Sequence, residues 1–281
     1  MNGFLNIYKP RGVTSARCLA KVKKIVKCKC GHMGTLDPLA CGVLPIALGQ
    51  ATRLFDIMTE KQKKYIAEFT FGTETDTLDL EGKPVFTGGR IPTKDEVIDL
   101  LPHFIGEIDQ VPPAFSAKCV DGKKSYKLAR SGVQVELKPK RIEIYDIKLS
   151  GDNSPAFTFE ITCGGGTYIR SLARDLGEKL GSLCTMSALC RTASGIFDIK
   201  NSVGVEEFKN SDEPEKYLIK PELALSFPEI VLTKREATRI LNGIFDYKTE
   251  KDGLYKVFCE EEFWGVGEST NGILRIKAYV R

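Results

Sequence analysis

Histidine is scarce: the 281 residues hold only His32 and His103. A nucleophilic triad needs a histidine base, and His103 lies in a capped helical stretch where a structural role suffices. The chain has no G-x-x-x-x-G-K-[ST] and no strand–G-x-G-x-x-G–helix unit, so nothing in it supports a nucleotide cofactor. No apolar run approaches the roughly 18 residues of a membrane span. The N-terminal MNGFLNIYKP lacks the charged-then-apolar order of a signal peptide, and the cytoplasm is the expected compartment. Nine cysteines are an odd, scattered set in a chain too long to need stapling, which indicates reduced thiols rather than a disulfide framework. Cys28, Cys30 and His32 alternate instead of forming C-x₂-C, and no second pair follows, which argues against a metal site.

What the chain does have is a globular balance, 42% apolar and 28% charged, and enough length for one large domain plus a small one. Its net charge is only +4, yet the lysines are clustered. Lys21, Lys23, Lys24, Lys27 and Lys29 form one patch, and Lys61, Lys63 and Lys64 a second. Lys118, Lys123, Lys124, Lys127 and Arg130 form a third, with Lys138, Lys140 and Arg141 close behind. One such run is an ordinary solvated face; several on a near-neutral chain fit a protein that holds a phosphate backbone.

Periodicity places a helix over 15–29 and two-faced strands in KYIAEFTFG, RIEIYDIKL and AFTFEITC. Thr93 with Glu96, and Thr233 with Glu236, are capping boxes. Residues 111–141, rich in lysine and poor in periodic apolars, read as an excursion from the core. The segment CGGGTYIRSLARDLGEKLG reads as strand end, glycine turn and helix, with Ile169, Leu172, Ala173, Leu176 and Leu180 buried and Gly181 as its stop. A break near 210–228 precedes LYKVFCE, FWGVGES and GILRIKAYV, three short strands of a β-rich module.

The stretch GHMGTLDPLACG (31–42) mounts one aspartate, Asp37, on a glycine-rich loop with no second carboxylate nearby. Two readings stay open. Asp before Pro is the pattern of a helix N-cap followed by an N1 proline. Alternatively, a carboxylate can attack an electrophilic carbon without a metal, provided an adjacent cation keeps it ionised while buried. Arg170 is a candidate partner, because a helix start is otherwise a poor place for a cation.

YKPRGVTS (8–15), GHMGTLDPLACGVLPIALGQATR (31–53), KYIAEFTFGTETDTLDLEG (64–82), VPPAFSAKCVDGKKSYKLARSG (111–132) and GGGTYIRSLARDLGEKLG (164–181) together resemble the TruB family, the standalone bacterial-type tRNA pseudouridine-55 synthases. The order Pro38-Leu39-Ala40 is similar to the standalone enzymes rather than to their guide-RNA-dependent relatives. The resemblance implies an α+β pseudouridine synthase fold: a mixed, largely antiparallel central sheet flanked by helices, over residues 1–226. A thumb-like RNA-gripping insertion at about 112–141 and a C-terminal PUA-like RNA-binding domain over 227–281 go with it. It implies uridine isomerisation at position 55 of the tRNA T-arm loop, without cofactor or metal, by a monomer with no obligate protein partner. Asp37 matches the family's catalytic aspartate, Tyr65 the tyrosine that stacks on the uracil, and Arg170 the arginine paired with the aspartate. Tyr168, Leu189 and His32 match substrate contacts, and Asp79 an acidic position near the site. Lys64, Lys118, Lys123 and Lys124 are expected on the RNA backbone. Met33 stands where relatives often carry a small or hydroxyl residue.

Overall fold

In this computed structural model the described residues are 1–58, 62–115 and 137–280, with the backbone alone of two short strands, 119–120 and 123–124. Strand β1 (Gly3–Lys9) leads into helix α1 (Ser15–Val26). After it come β2 (Cys30–His32), β3 (Cys41–Leu48), β4 (Lys63–Phe71), β5 (Thr73–Thr75) and β6 (Pro84–Thr87). Helix α2 (Lys94–Leu100) and β7 (Gly106–Gln110) precede β8 (Cys119–Val120) and β9 (Lys123–Lys124). Then follow β10 (Lys140–Asn153), β11 (Ala156–Cys163), helix α3 (Ile169–Lys179) and β12 (Cys184–Ser194).

The backbone of the central sheet runs β1-β3-β12-β4-β11-β10-β7, with 203–204 paired outside β1. It is mixed. β3 and β12 pair in parallel, as do β1 and 203–204, whereas β12 with β4, β4 with β11 and β11 with β10 are antiparallel. Period-two alternation puts Tyr65, Ala67, Phe69 and Phe71 of β4 on the buried face. They join Phe157, Phe159 and Ile161 of β11 and the apolar stripe of α3 in one core. A second cluster packs α1, through Cys18 and Val22, on Leu5, Ile7, Leu44 and Ile46.

Helix α1 stops at Val26, short of the expected 29, because Lys27 adopts a left-handed C-cap (φ 50°). Both expected capping boxes form, at Thr93–Glu96 and Thr233–Glu236. Gly181, at φ 61°, follows α3 as expected. The three expected C-terminal strands are present as Gly253–Cys259, Glu262–Thr270 and Ile273–Tyr279. A fourth, Glu229–Leu232, adds in parallel to the first of them; four residues are too few to show a period. Val266 and Ala278 of this smaller sheet, with Val280 just after it, pack on Phe4, Val43 and Ala47 of the large one and on Leu54 in the turn of helix after β3. Among the described residues no helix is long and apolar enough to cross a membrane.

Candidate active site

The loop joining β2 to β3 carries Asp37, and no helix follows Pro38. The N-cap reading is therefore overturned: the chain turns once, with Ala40 N donating to the Asp37 carbonyl, and enters β3. The loop is clamped from β1 and α1. Buried Ser15 donates its hydroxyl to the Leu36 carbonyl and accepts from Leu36 N, both at 2.9 Å. Gly12 N donates to the Pro38 carbonyl at 2.7 Å. Lys9, fully buried, gives its ammonium to the carbonyls of Val13 (2.6 Å), Pro10 (3.0 Å) and Pro38 (3.5 Å). Burial lowers the Lys9 pKa, a cost these carbonyls offset.

Arg170 reaches Asp37 from the first turn of α3, its Nε 2.9 Å from Asp37 Oδ2 and 3.6 Å from Asp79 Oδ2. Its other nitrogens donate to the carbonyls of Thr77 and Phe115, each at 3.0 Å. The guanidinium is thus held on four sides. Asp79 is buried as well, accepting from the Thr77 hydroxyl (2.7 Å) and Glu81 N (3.0 Å). Asp37 alone of the three charged groups keeps a substantial opening, with about a third of its side chain exposed.

That opening faces two spaces. An inner cavity of about 270 Å³ is lined by Asp37, Lys63, Tyr65, Tyr168, Arg170 and Leu189, among others. An outer groove of about 600 Å³ runs past Asp37, His32, Asp79, Glu81, Phe115 and the N-terminus of α1. The structure therefore divides the expected substrate residues, with Tyr65, Tyr168 and Leu189 inside and His32 and Asp79 outside. Lys64 lines neither. It is exposed, and strand alternation turns it from the face that Lys63 and Tyr65 present. Lys118 lies outside the described residues, as do the side chains of Lys123 and Lys124.

Burial pushes the Tyr65 hydroxyl up to about 12, against the opposing pull of Arg191, so the phenol is protonated at neutral pH. His32 is pushed the other way, first by burial and then by Arg191, which favours its neutral form. Its Nδ1 is buried with no hydrogen-bond partner. Glu81 is raised by burial and by the nearby Asp79 and Asp37 carboxylates. Tyr168 caps α3 and is tied to β7 by two bonds: its N–H donates to Gln110 Oε1 (2.8 Å), and its carbonyl accepts from Gln110 Nε2 (3.1 Å). The glycine run is a turn, as expected, with Gly166 at φ 91°.

Lys9, Ser15, Lys63 and Arg191 belong to the site; residue-by-residue reading put Lys63 only in a basic patch and assigned the other three no role. YKPRGVTS contains the first two, but nothing local marks a lysine in a strand as a loop clamp. The cysteines beside the loop are packed into the protein: Cys28 and Cys30 join the core under α1, and Cys41 faces Cys190 across parallel strands. Among the described residues no group of three or more His, Cys, Asp or Glu is placed to hold a metal ion.

A mixed sheet with a clamped aspartate loop at its centre, and beneath it a cavity walled by both charged and apolar side chains, defines the class. Solved structures with this fold include an H/ACA ribonucleoprotein bound to a substrate RNA containing 2′-deoxyuridine (TM-score 0.73, 23% identical, covering 99% of this chain and 85% of that one). A Cbf5–Nop10–Gar1 complex is similar (TM-score 0.74, 24% identical, 99% and 85% covered).

Family models assign the rest. The N-terminal domain of the TruB family pseudouridylate synthases matches residues 20–169, the tRNA pseudouridylate synthase B C-terminal domain matches 170–221, and the C-terminal region of pseudouridine synthase II TruB matches 228–278. Similar relatives are the tRNA pseudouridine synthase B of Clostridium kluyveri (43% identical, 95% of each chain) and that of Aquifex aeolicus (40% identical, 99% of each chain). The chain belongs to the TruB family of pseudouridylate synthases.

Proposed function

We propose that the protein isomerises uridine to pseudouridine at position 55, in the T-arm loop of tRNA, with Asp37 as the nucleophile. The observation that carries this reading is the 2.9 Å contact between Asp37 and Arg170 at the mouth of a cavity lined by Tyr65 and Leu189. A cavity of about 270 Å³ suits one pyrimidine base. The relatives named tRNA pseudouridine synthase B support tRNA as the substrate.

Taking a base out of its stack costs a few kcal/mol, and stacking on Tyr65 returns about 1–3 kcal/mol. Tyr168, Leu189 and His32 would contact the displaced nucleotide, with Asp79 holding Arg170 from behind. Arg170 stands against Asp37 as its counter-charge, 2.9 Å away, while the substrate shuts out water. The Asp37 carboxylate attacks at sugar C1′ or uracil C6, or promotes elimination to a glycal; each route leads to the same exchange. The N1–C1′ bond breaks, the uracil turns within the cavity, C5–C1′ forms, C5 loses its proton and N1 gains one. Nothing is oxidised, reduced or hydrolysed, so the reaction itself calls for no cofactor. Water must stay out, because a water molecule at C1′ would release free uracil.

Residues 1–226 would carry the reaction, with 112–141 folding over the stem-loop through Lys118, Lys123 and Lys124. Residues 227–281 would act as a PUA-like RNA-binding module in a cytoplasmic monomer. The decisive test is Asp37→Asn on an unmodified tRNA transcript. The amide preserves size and polarity but cannot attack, so pseudouridine formation should fall by about 10⁴-fold or more, with tRNA binding retained. An active Asn variant would refute the assignment. Free uracil as the product of the unaltered protein would point to a hydrolase instead.

A further inference from the structure

We infer that Gln110 is a positioning residue for this reaction: from the end of β7 it fixes the backbone of Tyr168, and with it the first turn of α3, from which Tyr168 and Arg170 reach the cavity. The inference rests on the proposed function and adds a residue that lines neither the cavity nor the groove.

The start of α3 is short of the usual fastenings. Helices α1 and α2, and the helix Lys234–Leu241, each follow a threonine whose hydroxyl accepts a backbone N–H of the first turn. Helix α3 follows Tyr168, whose side chain makes no cap bond, and its first turn holds no acidic residue. It holds Arg170 instead, a cation at the helix end that disfavours cations. Both departures serve the cavity, which Tyr168 and Arg170 line. A serine or aspartate at 168 would cap the helix but leave the cavity without its tyrosine.

Gln110 supplies the fastening from another element. Its amide oxygen accepts from Tyr168 N at 2.8 Å, and its amide nitrogen donates to the Tyr168 carbonyl at 3.1 Å. A primary amide carries an acceptor and a donor side by side, so it pairs with both polar groups of one residue as a neighbouring strand does. Gln110 is 1% exposed, so little water competes for these bonds. The Tyr168 N–H is the group that a capping-box glutamate takes within its own helix, as Glu96 takes that of Thr93. In α3 the place of that glutamate is held by Ser171, whose hydroxyl donates to the Val111 carbonyl at 2.8 Å. Arg170 Nε meets Asp37 at 2.9 Å only two residues beyond the tied one, so a slack first turn would move the cation off the carboxylate.

The test compares Gln110→Met, Gln110→Glu and Ser171→Ala in single-turnover pseudouridine formation on unmodified tRNA, with tRNA affinity and melting temperature measured alongside. Gln110→Met removes both bonds at similar side-chain length and should slow the step by about 10- to 100-fold. Affinity should change by no more than about twofold, because tRNA is held chiefly through its phosphates. Ser171→Ala loses a neighbouring bond but leaves the Tyr168 backbone tied, and should slow the step by no more than about threefold.

Gln110→Glu separates positioning from folding. Ionised, its carboxylate accepts from Tyr168 N but has nothing to donate to the carbonyl; protonated, it makes both bonds. Burial favours the acid, while Lys140 across on β10 and Arg174 on α3 favour the carboxylate, which brings the exchange into an accessible range. Below the melting temperature, the variant's rate relative to the unaltered protein at the same pH should therefore rise about fivefold or more from about pH 8.5 to about pH 6. Full rate in Gln110→Met, an equal loss in Ser171→Ala, or a ratio flat with pH overturns the role. If Gln110→Met does not fold, the pH ratio of Gln110→Glu decides alone. Absence of pseudouridine with the unaltered protein overturns the proposed function itself, a result distinct from any failure of Gln110.

Discussion

The two sheets treat charge in opposite ways. In the smaller C-terminal sheet the core is Ile230, Leu232, Val257, Trp264 and Leu274, and the ion pairs Lys277–Glu268 and Lys234–Glu260 lie on the surface. At the centre of the large sheet, Lys9, Asp79, Arg170 and Arg191 are all buried, around backbone that is neither helix nor strand. Burying a charge costs several kcal/mol unless it is paired and hydrogen-bonded. A chain seeking stability alone would place apolar groups there, as the smaller sheet does. The molecule accepts a stability cost around one carboxylate, Asp37, which it fixes against Arg170 and leaves open to the cavity.

Removing single partners sharpens that contrast, and Arg170→Met should have the largest effect. It leaves Asp79 buried beside Asp37 without their shared cation, so unfolding free energy should drop by about 3–5 kcal/mol, measured by urea denaturation, and activity should vanish. A smaller drop would mean that solvent already reaches this cluster. Ser15→Ala comes next. It strips both bonds from Leu36, and leaving those buried backbone groups unpaired should cost about 1–3 kcal/mol. Turnover should fall with it, because the residue before Asp37 loses its anchor; an unchanged kcat would show that Gly12 and Lys9 hold the loop by themselves. Lys277→Ala should be the mildest, shifting stability by about 0.5 kcal/mol or less. A cost equal to that of Ser15→Ala would break the comparison between the sheets.

The parts of the fold that sequence reading recovered are those whose burial is local. KYIAEFTFG and AFTFEITC alternate because each strand buries one face, and the reciprocal bonds at Thr93 and Thr233 span only three residues. The long strands β1, β3 and β12 went unseen because they are buried along most of their length and show little alternation; Gly106–Gln110 and Glu229–Leu232 went unseen because they are short. For the site, spacing alone left Asp37 open between helix cap and nucleophile. Resemblance to a family supplied Tyr65, Tyr168, Leu189 and the assignment of Arg170, which helix electrostatics had only made a candidate.

The order of residues alone thus determined the alternating strands, the caps and the presence of a lone aspartate on a glycine-rich loop. Each is settled by neighbours a few positions away. Only the tertiary structure decided what that aspartate meets. Ser15, Gly12 and Lys9 clamp its loop, Arg170 arrives from a distant helix, and β12 slots between β3 and β4 to put Arg191 against both. Such contacts leave no periodic trace, because they depend on which strands become neighbours and on which buried charges find enough partners to stay there.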